Sequence, residues 1–285
     1  MSELGSALRL ALGARRHAVV AAGIVIATFL ALPILVLAGT SLTESRFLTF
    51  PPKGLSTQWY SALGSDPQWT DSAWLSLRIG FLAASIATVC GVCAAFALRA
   101  AGPRLAQLLR TMFIAPLVVP YIVYALGIFN VLNEVPRMSA FWPIVLGQAA
   151  LAFPLVLMVV ASRLAGVDPV LDRAAQALGS TPARTIWRVD LPLIRGAVIG
   201  GWVLAFAFAF DEVVLALFLA GPAEQTLPVT IWSAIRDFVS PVVAAAAVAV
   251  ISFAAALSVL AWLAGRGRPR SAAAPADESV AAGYG

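Results

Sequence analysis

Six stretches of 18 to 26 residues are dominated by apolar side chains: Ala18–Gly39, Ala73–Leu98, Met112–Phe129, Phe141–Ala161, Ala197–Ala220 and Val242–Ala264. A helix needs roughly 20 such residues, at about 1.5 Å each, to cross a hydrocarbon layer of about 30 Å. The third stretch is short as drawn and is expected to begin earlier, near Leu105. Only helices satisfy every backbone polar group within one such segment. The expected fold is therefore all-α and integral to a membrane, with six transmembrane helices. Composition agrees: 61% of residues are hydrophobic, 12% are charged, and mean hydropathy is +0.91. A soluble domain carries about 25% charge. That argues against a soluble enzyme and against a nucleic-acid-binding module.

The first stretch has a basic flank, Arg9, Arg15 and Arg16, as a signal peptide would. Its apolar part exceeds the usual h-region of about 7–15 residues, so it reads as a retained helix. The net charge of +5 does not point to an anionic ligand. Counting Lys and Arg by loop, 14 fall on one side of the predicted spans and 4 on the other, with Arg78 inside the second span. The positive-inside rule places the rich side, and with it both termini, in the cytoplasm. The expected organisation is a cytoplasmic segment over 1–17, a membrane domain over 18–264 and a disordered cytoplasmic tail over 265–285. The outer loop 40–72 reads as an ordered cap, with Trp59, Tyr60 and Trp69 at the interface. Leu227, Ile231 and Ile235 recur every four residues and predict a short helix in the next outer loop.

The inner loop 163–196 is far longer than a helix hairpin needs. Asp168-Pro169 predicts a helix start, with the aspartate as cap and the proline at the first position. Leu171, Ala174, Ala175 and Leu178 give that helix an apolar face, and Gly179 ends it. Ser180-Thr181-Pro182 predicts a second short helix with Ile186, Trp187 and Val189 as its apolar residues, closed by Leu191-Pro192. The expected result is an elbow that protrudes from the membrane.

These residues resemble a known family. Leu171-Asp172-Arg173-Ala174-Ala175-Gln176-Ala177-Leu178-Gly179, followed by Trp187, Val189 and Leu191-Pro192, is similar to the EAA loop of ABC importer permeases. The family's glutamate position is held here by Arg173, with Asp172 one place earlier, so either Asp172 substitutes or the contact differs. Pro116 to Val123 in span three, and Phe210-Asp211-Glu212-Val213-Val214 in span five, resemble the spermidine/putrescine-type branch. The resemblance runs from about Ser72 to Ala264. It implies the type I importer (MetI-like) permease fold in a bacterial inner membrane. It also implies an ATPase-coupling role for Asp172, Arg173, Ala174, Ala175, Leu178, Gly179, Trp187, Leu191 and Pro192. The implied partners are a cytoplasmic ABC ATPase dimer, a second permease subunit and an extracytoplasmic solute-binding protein. ATP and Mg would be bound by the ATPase and no cofactor by this chain. The residues agree on one point independently: the sequence has no GxxxxGK[ST] phosphate loop, so a motor would have to be borrowed.

Asp211 and Glu212 interrupt span five. A carboxylate at helix centre costs roughly 2.5–3.5 kcal/mol on insertion scales, so such acids face a cavity or a partner. They suit a cationic solute such as a polyamine. Neighbours on a helix diverge by about 100°, so one of the two is expected to face the pathway. Tyr121 and Tyr124 are candidates for its lining, with aromatic packing as the competing reading. Cys90 and Cys93 have CxxC spacing but no further ligand nearby, and are expected to serve as small packing residues. Gly200-Gly201 and Ala244–Ala247 are expected to allow close helix approach.

The leading expectation is a permease subunit of an ATP-driven importer of a small polar solute, not itself an enzyme. The alternative is an ion- or proton-coupled secondary transporter using Asp211 and Glu212. No internal repeat is evident to support it. An intramembrane enzyme is disfavoured: neither HExxH nor GxSxG occurs, and the single histidine lies at a membrane edge.

Overall fold

A computed structural model describes residues 2–134, 139–221, 224–238 and 240–265, with side chains from residue 18 onward. All regular structure among them is helical. The expected tail, His17 and Arg137 lie outside the described residues or side chains, except that Gly265 ends the last helix.

Helix α1 (Ser2–Ser41) forms the first span and continues through the segment expected as a separate N-terminal piece. An outer cap follows, containing α2 (Gln58–Ser65). The Trp59 indole donates to the Thr43 carbonyl at 2.7 Å, and the Ser41 and Tyr60 hydroxyls share a 2.7 Å hydrogen bond. These side-chain bonds fix the cap expected from its aromatic residues. Span two is α3 (Pro67–Ala100), started by the Asp66 carboxylate, which accepts the Gln68 N–H at 2.9 Å.

Span three is not one rod. α4 (Pro103–Ile114) runs through a short 3₁₀ turn, Ala115–Leu117, and α5 (Tyr121–Asn133) leaves at an angle of 87°. Pro116 and Pro120 explain the corner, because neither can donate a helix hydrogen bond. Span four is α6 (Phe141–Ala165). The elbow consists of α7 (Pro169–Ala177) and α8 (Pro182–Thr185). A π turn, Ile186–Asp190, leads into α9 (Leu191–Phe210), and a break at 211–213 precedes α10 (Val214–Leu219). α11 (Leu227–Asp237) is the short outer helix expected there, and α12 (Pro241–Gly265) is span six. Among the described residues five helices are long and apolar enough to cross a membrane, or six with the bent pair counted as one span.

The core is the triple contact of α3, α6 and α9, with Ala84, Ala87, Ala152, Val156, Val160, Ile194 and Ala205 buried in it. Small residues permit this approach. A Cβ added at Gly91 would sit 2.8 Å from Val156 Cγ1 and 3.2 Å from the Leu157 nitrogen, so α3 and α6 meet there backbone to backbone. Gly201 does the same job less tightly against Val156, whereas Gly200 faces open space. Ala244, Ala245 and Ala246 are buried, as the alanine run implied. The Trp202 indole donates to Ser85 Oγ at 3.1 Å and ties α9 to α3. One packing expectation fails. Cys90 and Cys93 are exposed on α3, because they fall on the face turned away from α6 and α9 rather than in the helix contact.

Candidate functional site

The elbow is built from the caps the sequence announced. Asp168 accepts the Val170 N–H at 2.8 Å and starts α7. Gly179 has φ +85°, the left-handed backbone that ends it. Thr181 accepts the Arg184 N–H at 3.3 Å and starts α8. The expected closure at Leu191-Pro192 does not occur. Pro182 to Phe210 runs as one 29-residue helical unit, so the second arm of the elbow is the cytoplasmic stalk of span five. The Leu191 N–H bonds back to the Ile186 carbonyl, five residues earlier, and this wider turn accommodates Pro192 inside the rod.

One face of α7 turns inward with Asp172 and Ala175, and the other is open. Val170, Leu171 and Arg173 are exposed, Ala174 also, and Leu178 is 90% exposed. Trp187, on the stalk, is 70% exposed. Large apolar side chains that are exposed beyond the core of the spans mark a surface made to be covered.

The inward face holds a side-chain cluster that sequence reading did not find. Arg99, in the last turn of α3, forks between two carboxylates. Its Nη2 donates to Asp172 Oδ2 at 2.6 Å and its Nη1 to Asp190 Oδ1 at 2.9 Å. Asp190, in the π turn, is only 2% exposed. Burial first, and the facing Asp190 charge second, push the Asp172 carboxyl above the ordinary aspartate range, while Arg99 pulls it the other way. These partners lie 73 and 91 residues apart, and no periodicity or motif links them.

The second site is the break in span five. Ending α9 at Phe210 and restarting at Val214 frees backbone N–H groups in a buried setting, where they must find partners. Glu212 supplies them. It is 7% exposed and accepts from Leu215 N–H at 2.8 Å and Ala216 N–H at 3.4 Å. The buried Gln148 amide of α6 lies beside it. Asp211 points the other way. It is exposed and lines a groove of about 160 Å³ with Pro228, Trp232 and Ile235. The two adjacent acids thus part company within the break between α9 and α10. Tyr121 stands at the start of α5, partly exposed, with its ring 6.3 Å from that of Phe208. Tyr124 packs inward and donates to the Gly147 carbonyl at 3.3 Å. The two breaks, at 118–120 and 211–213, lie in the two spans that the sequence singled out. Among the described residues no cluster of metal-ligating side chains occurs.

The chain is thus a helical membrane bundle with two interrupted spans and a capped elbow that exposes apolar side chains. Residues 87–267 match the family described as "Binding-protein-dependent transport system inner membrane component", and the chain belongs to that family. The putrescine transport system permease protein PotI of Escherichia coli (strain K12) is 32% identical over 243 residues, covering 82% of this chain and 86% of PotI. The spermidine/putrescine transport system permease protein PotC of Haemophilus influenzae is 32% identical over 240 residues, covering 84% and 93%. Among solved structures, a bacterial ABC transporter involved in the import of the acidic polysaccharide alginate superposes with a TM-score of 0.68 at 13% identity, over 90% of this chain and 98% of that one. The MetNI methionine ABC transporter gives 0.60 at 14%, over 71% and 98%. These likenesses show the type I importer permease fold. Carriers of a polyanion and of an amino acid share it, so the fold does not select the solute.

Proposed function

We propose that this chain is the pore-forming half of an importer for a small organic cation of the putrescine and spermidine class, driven by a separate ATPase. The observation that carries the reading is the elbow: Val170, Leu171, Leu178 and Trp187 are exposed apolar side chains on its two arms, and one arm is continuous with span five. A cytoplasmic ATPase dimer, holding ATP and Mg, covers those side chains in the helix-in-groove manner. When the dimer closes, the stalk transmits the movement to span five and switches access by rigid-body rotation. The apolar residues Ala174 and Leu178 belong to the covered surface, and Ala175 packs on the inward side of α7. Gly179 fixes the turn between the arms, and Leu191 and Pro192 belong to the stalk. Arg173 stands outward where the family has a glutamate, and would meet an acidic group on the ATPase. Asp172 faces inward, so the contact differs from the family pattern.

On the pathway side, Asp211 offers a carboxylate in its groove with Trp232, and Tyr121 separately offers an aromatic ring beside Phe208, the chemistry that receives an alkylammonium. Glu212 supports the first by holding the broken helix, and Tyr124 the second by bracing α5 on α6. A second permease subunit completes the pore, and an extracytoplasmic binding protein delivers the solute. The termini are cytoplasmic in an inner membrane, from the distribution of arginines. The relatives support the solute class, both being named for polyamine transport. Purification of the tagged chain from its own membrane tests the assembly: an ATPase should come with it in fixed ratio. Reconstituted vesicles should then take up radiolabelled putrescine only with ATP and the binding protein. Uptake that survives ATP depletion and collapses with the proton gradient would refute it.

A further inference from the structure

We infer that Arg99 is a positioning residue for energy coupling: it latches the elbow helix α7 and the stalk of span five to the cytoplasmic end of span two, so that all three move as one body. This rests on the proposed role as an ATP-driven permease and adds a third moving element to it.

Arg99 forms ion pairs with two elements at once. One nitrogen holds α7 through Asp172, and the other holds the π turn through Asp190. α7 is otherwise poorly secured. It contains no buried residue, and its principal packing partners are α8 and the π turn, which belong to the same elbow. Short hydrogen-bonded turns at Gly166 and Gly179 bound it at both ends. Without the latch, a push on its exposed face would rock α7 about those turns. With it, the push reaches the α3 end directly and, through the α3, α6 and α9 contact, the whole core. A guanidinium suits this place because its planar fork binds two carboxylates in fixed directions, which an ammonium cannot.

The cluster is poorly suited to a purely stabilising role. Two carboxylates share one cation, Asp172 Oδ1 is buried without a hydrogen-bond partner, and the Asp172 carboxyl is pushed upward by burial and by Asp190. A partly buried pair of this kind adds little net stability compared with a neutral replacement, and register or switching is its best-attested use.

The test uses the intact complex with its ATPase and binding protein, and putrescine as the probe. Two variants cut the latch. Asp172→Ala removes the arm to α7 and leaves the Arg99–Asp190 pair. Arg99→Met combined with Asp190→Asn removes the hub without orphaning the buried carboxylate of the stalk. The expected result is an ATPase bound at wild-type stoichiometry, a thermal midpoint within a few degrees of wild type, continued ATP hydrolysis, and at least about tenfold less putrescine imported per ATP. Wild-type import per ATP in both variants would overturn the inference. So would loss of the complex together with a lowered midpoint, which would make the cluster a folding element only. Should the wild-type complex import no putrescine, the substrate reading fails alone. The latch is then decided by hydrogen exchange of residues 168–179 in the permease. Faster exchange in Arg99→Met/Asp190→Asn than in wild type supports it, and an unchanged rate overturns it.

Discussion

Replacing Glu212 separates the two acids of span five most cleanly. In Glu212→Ala, the Leu215 N–H loses a 2.8 Å acceptor and the Ala216 N–H a longer one at 3.4 Å, at a site only 7% exposed. A hydrogen bond to a charged group contributes about 1.5–3 kcal/mol, and loss of a helix cap costs about 0.5–2 kcal/mol. The longer bond adds little, so the expected cost is about 2 kcal/mol. In a chain of this size that lowers the thermal midpoint by roughly 4–8 °C. Glu212→Gln keeps an acceptor oxygen and should lose about half as much. Asp211→Asn alters no described hydrogen bond made by its side chain, so it should leave the midpoint unchanged while reducing putrescine uptake. The assay is thermal unfolding of the detergent-solubilised protein beside uptake in vesicles. Equal midpoints for Glu212→Ala and wild type would refute the capping role. A drop in Asp211→Asn as large as that in Glu212→Ala would refute the division of labour between the acids.

Gly91→Ala forces a methyl to within 2.8 Å of Val156 and against the backbone of Leu157, and overpacking of this kind costs about 1–3 kcal/mol, visible as a lowered midpoint. Asp168→Ala removes the α7 cap at a cost of about 1 kcal/mol, and should weaken ATPase binding while leaving the membrane core's unfolding unchanged. The pH response of the elbow has a definite sign. Because the folded state raises the Asp172 carboxyl above its ordinary value of about 3.9, the contribution is present below that value and is lost as pH rises through the raised one. Wild type should therefore lose midpoint relative to Asp172→Asn as the pH climbs from about 4, and a difference independent of pH would contradict it.

Much of this was legible in the residues. Long apolar runs give the spans directly, and the elbow's ends follow from Asp168, Gly179 and Thr181, because capping is a local interaction between neighbours. What escaped was set by partners far along the chain or by departures from regular helix. The paired prolines mark span three, but the direction of its 87° turn depends on what α5 packs against. Leu191-Pro192 reads as a stop because proline breaks an ordinary α-helix; a π turn just before it removes the conflict. The exposure of Cys90 and Cys93 was hidden because an all-apolar helix carries no periodic signal for its buried face. Asp211 and Glu212 could be separated only in outline, since a break in the helix, not the helix itself, decides where each points. The Arg99 latch had no sequence signature at all.

The central claim is that an ATPase grips the elbow through its exposed apolar side chains, and the affinity of that ATPase for the Trp187→Ala permease in nanodiscs tests it most directly. Trp187 is 70% exposed in the chain alone. A tryptophan at the centre of a docking surface contributes at least about 2 kcal/mol, which is roughly thirtyfold in Kd. A Kd at least about thirtyfold weaker, with the thermal midpoint of the permease unchanged, is the predicted result. An ATPase that binds the variant as tightly as wild type would contradict the account.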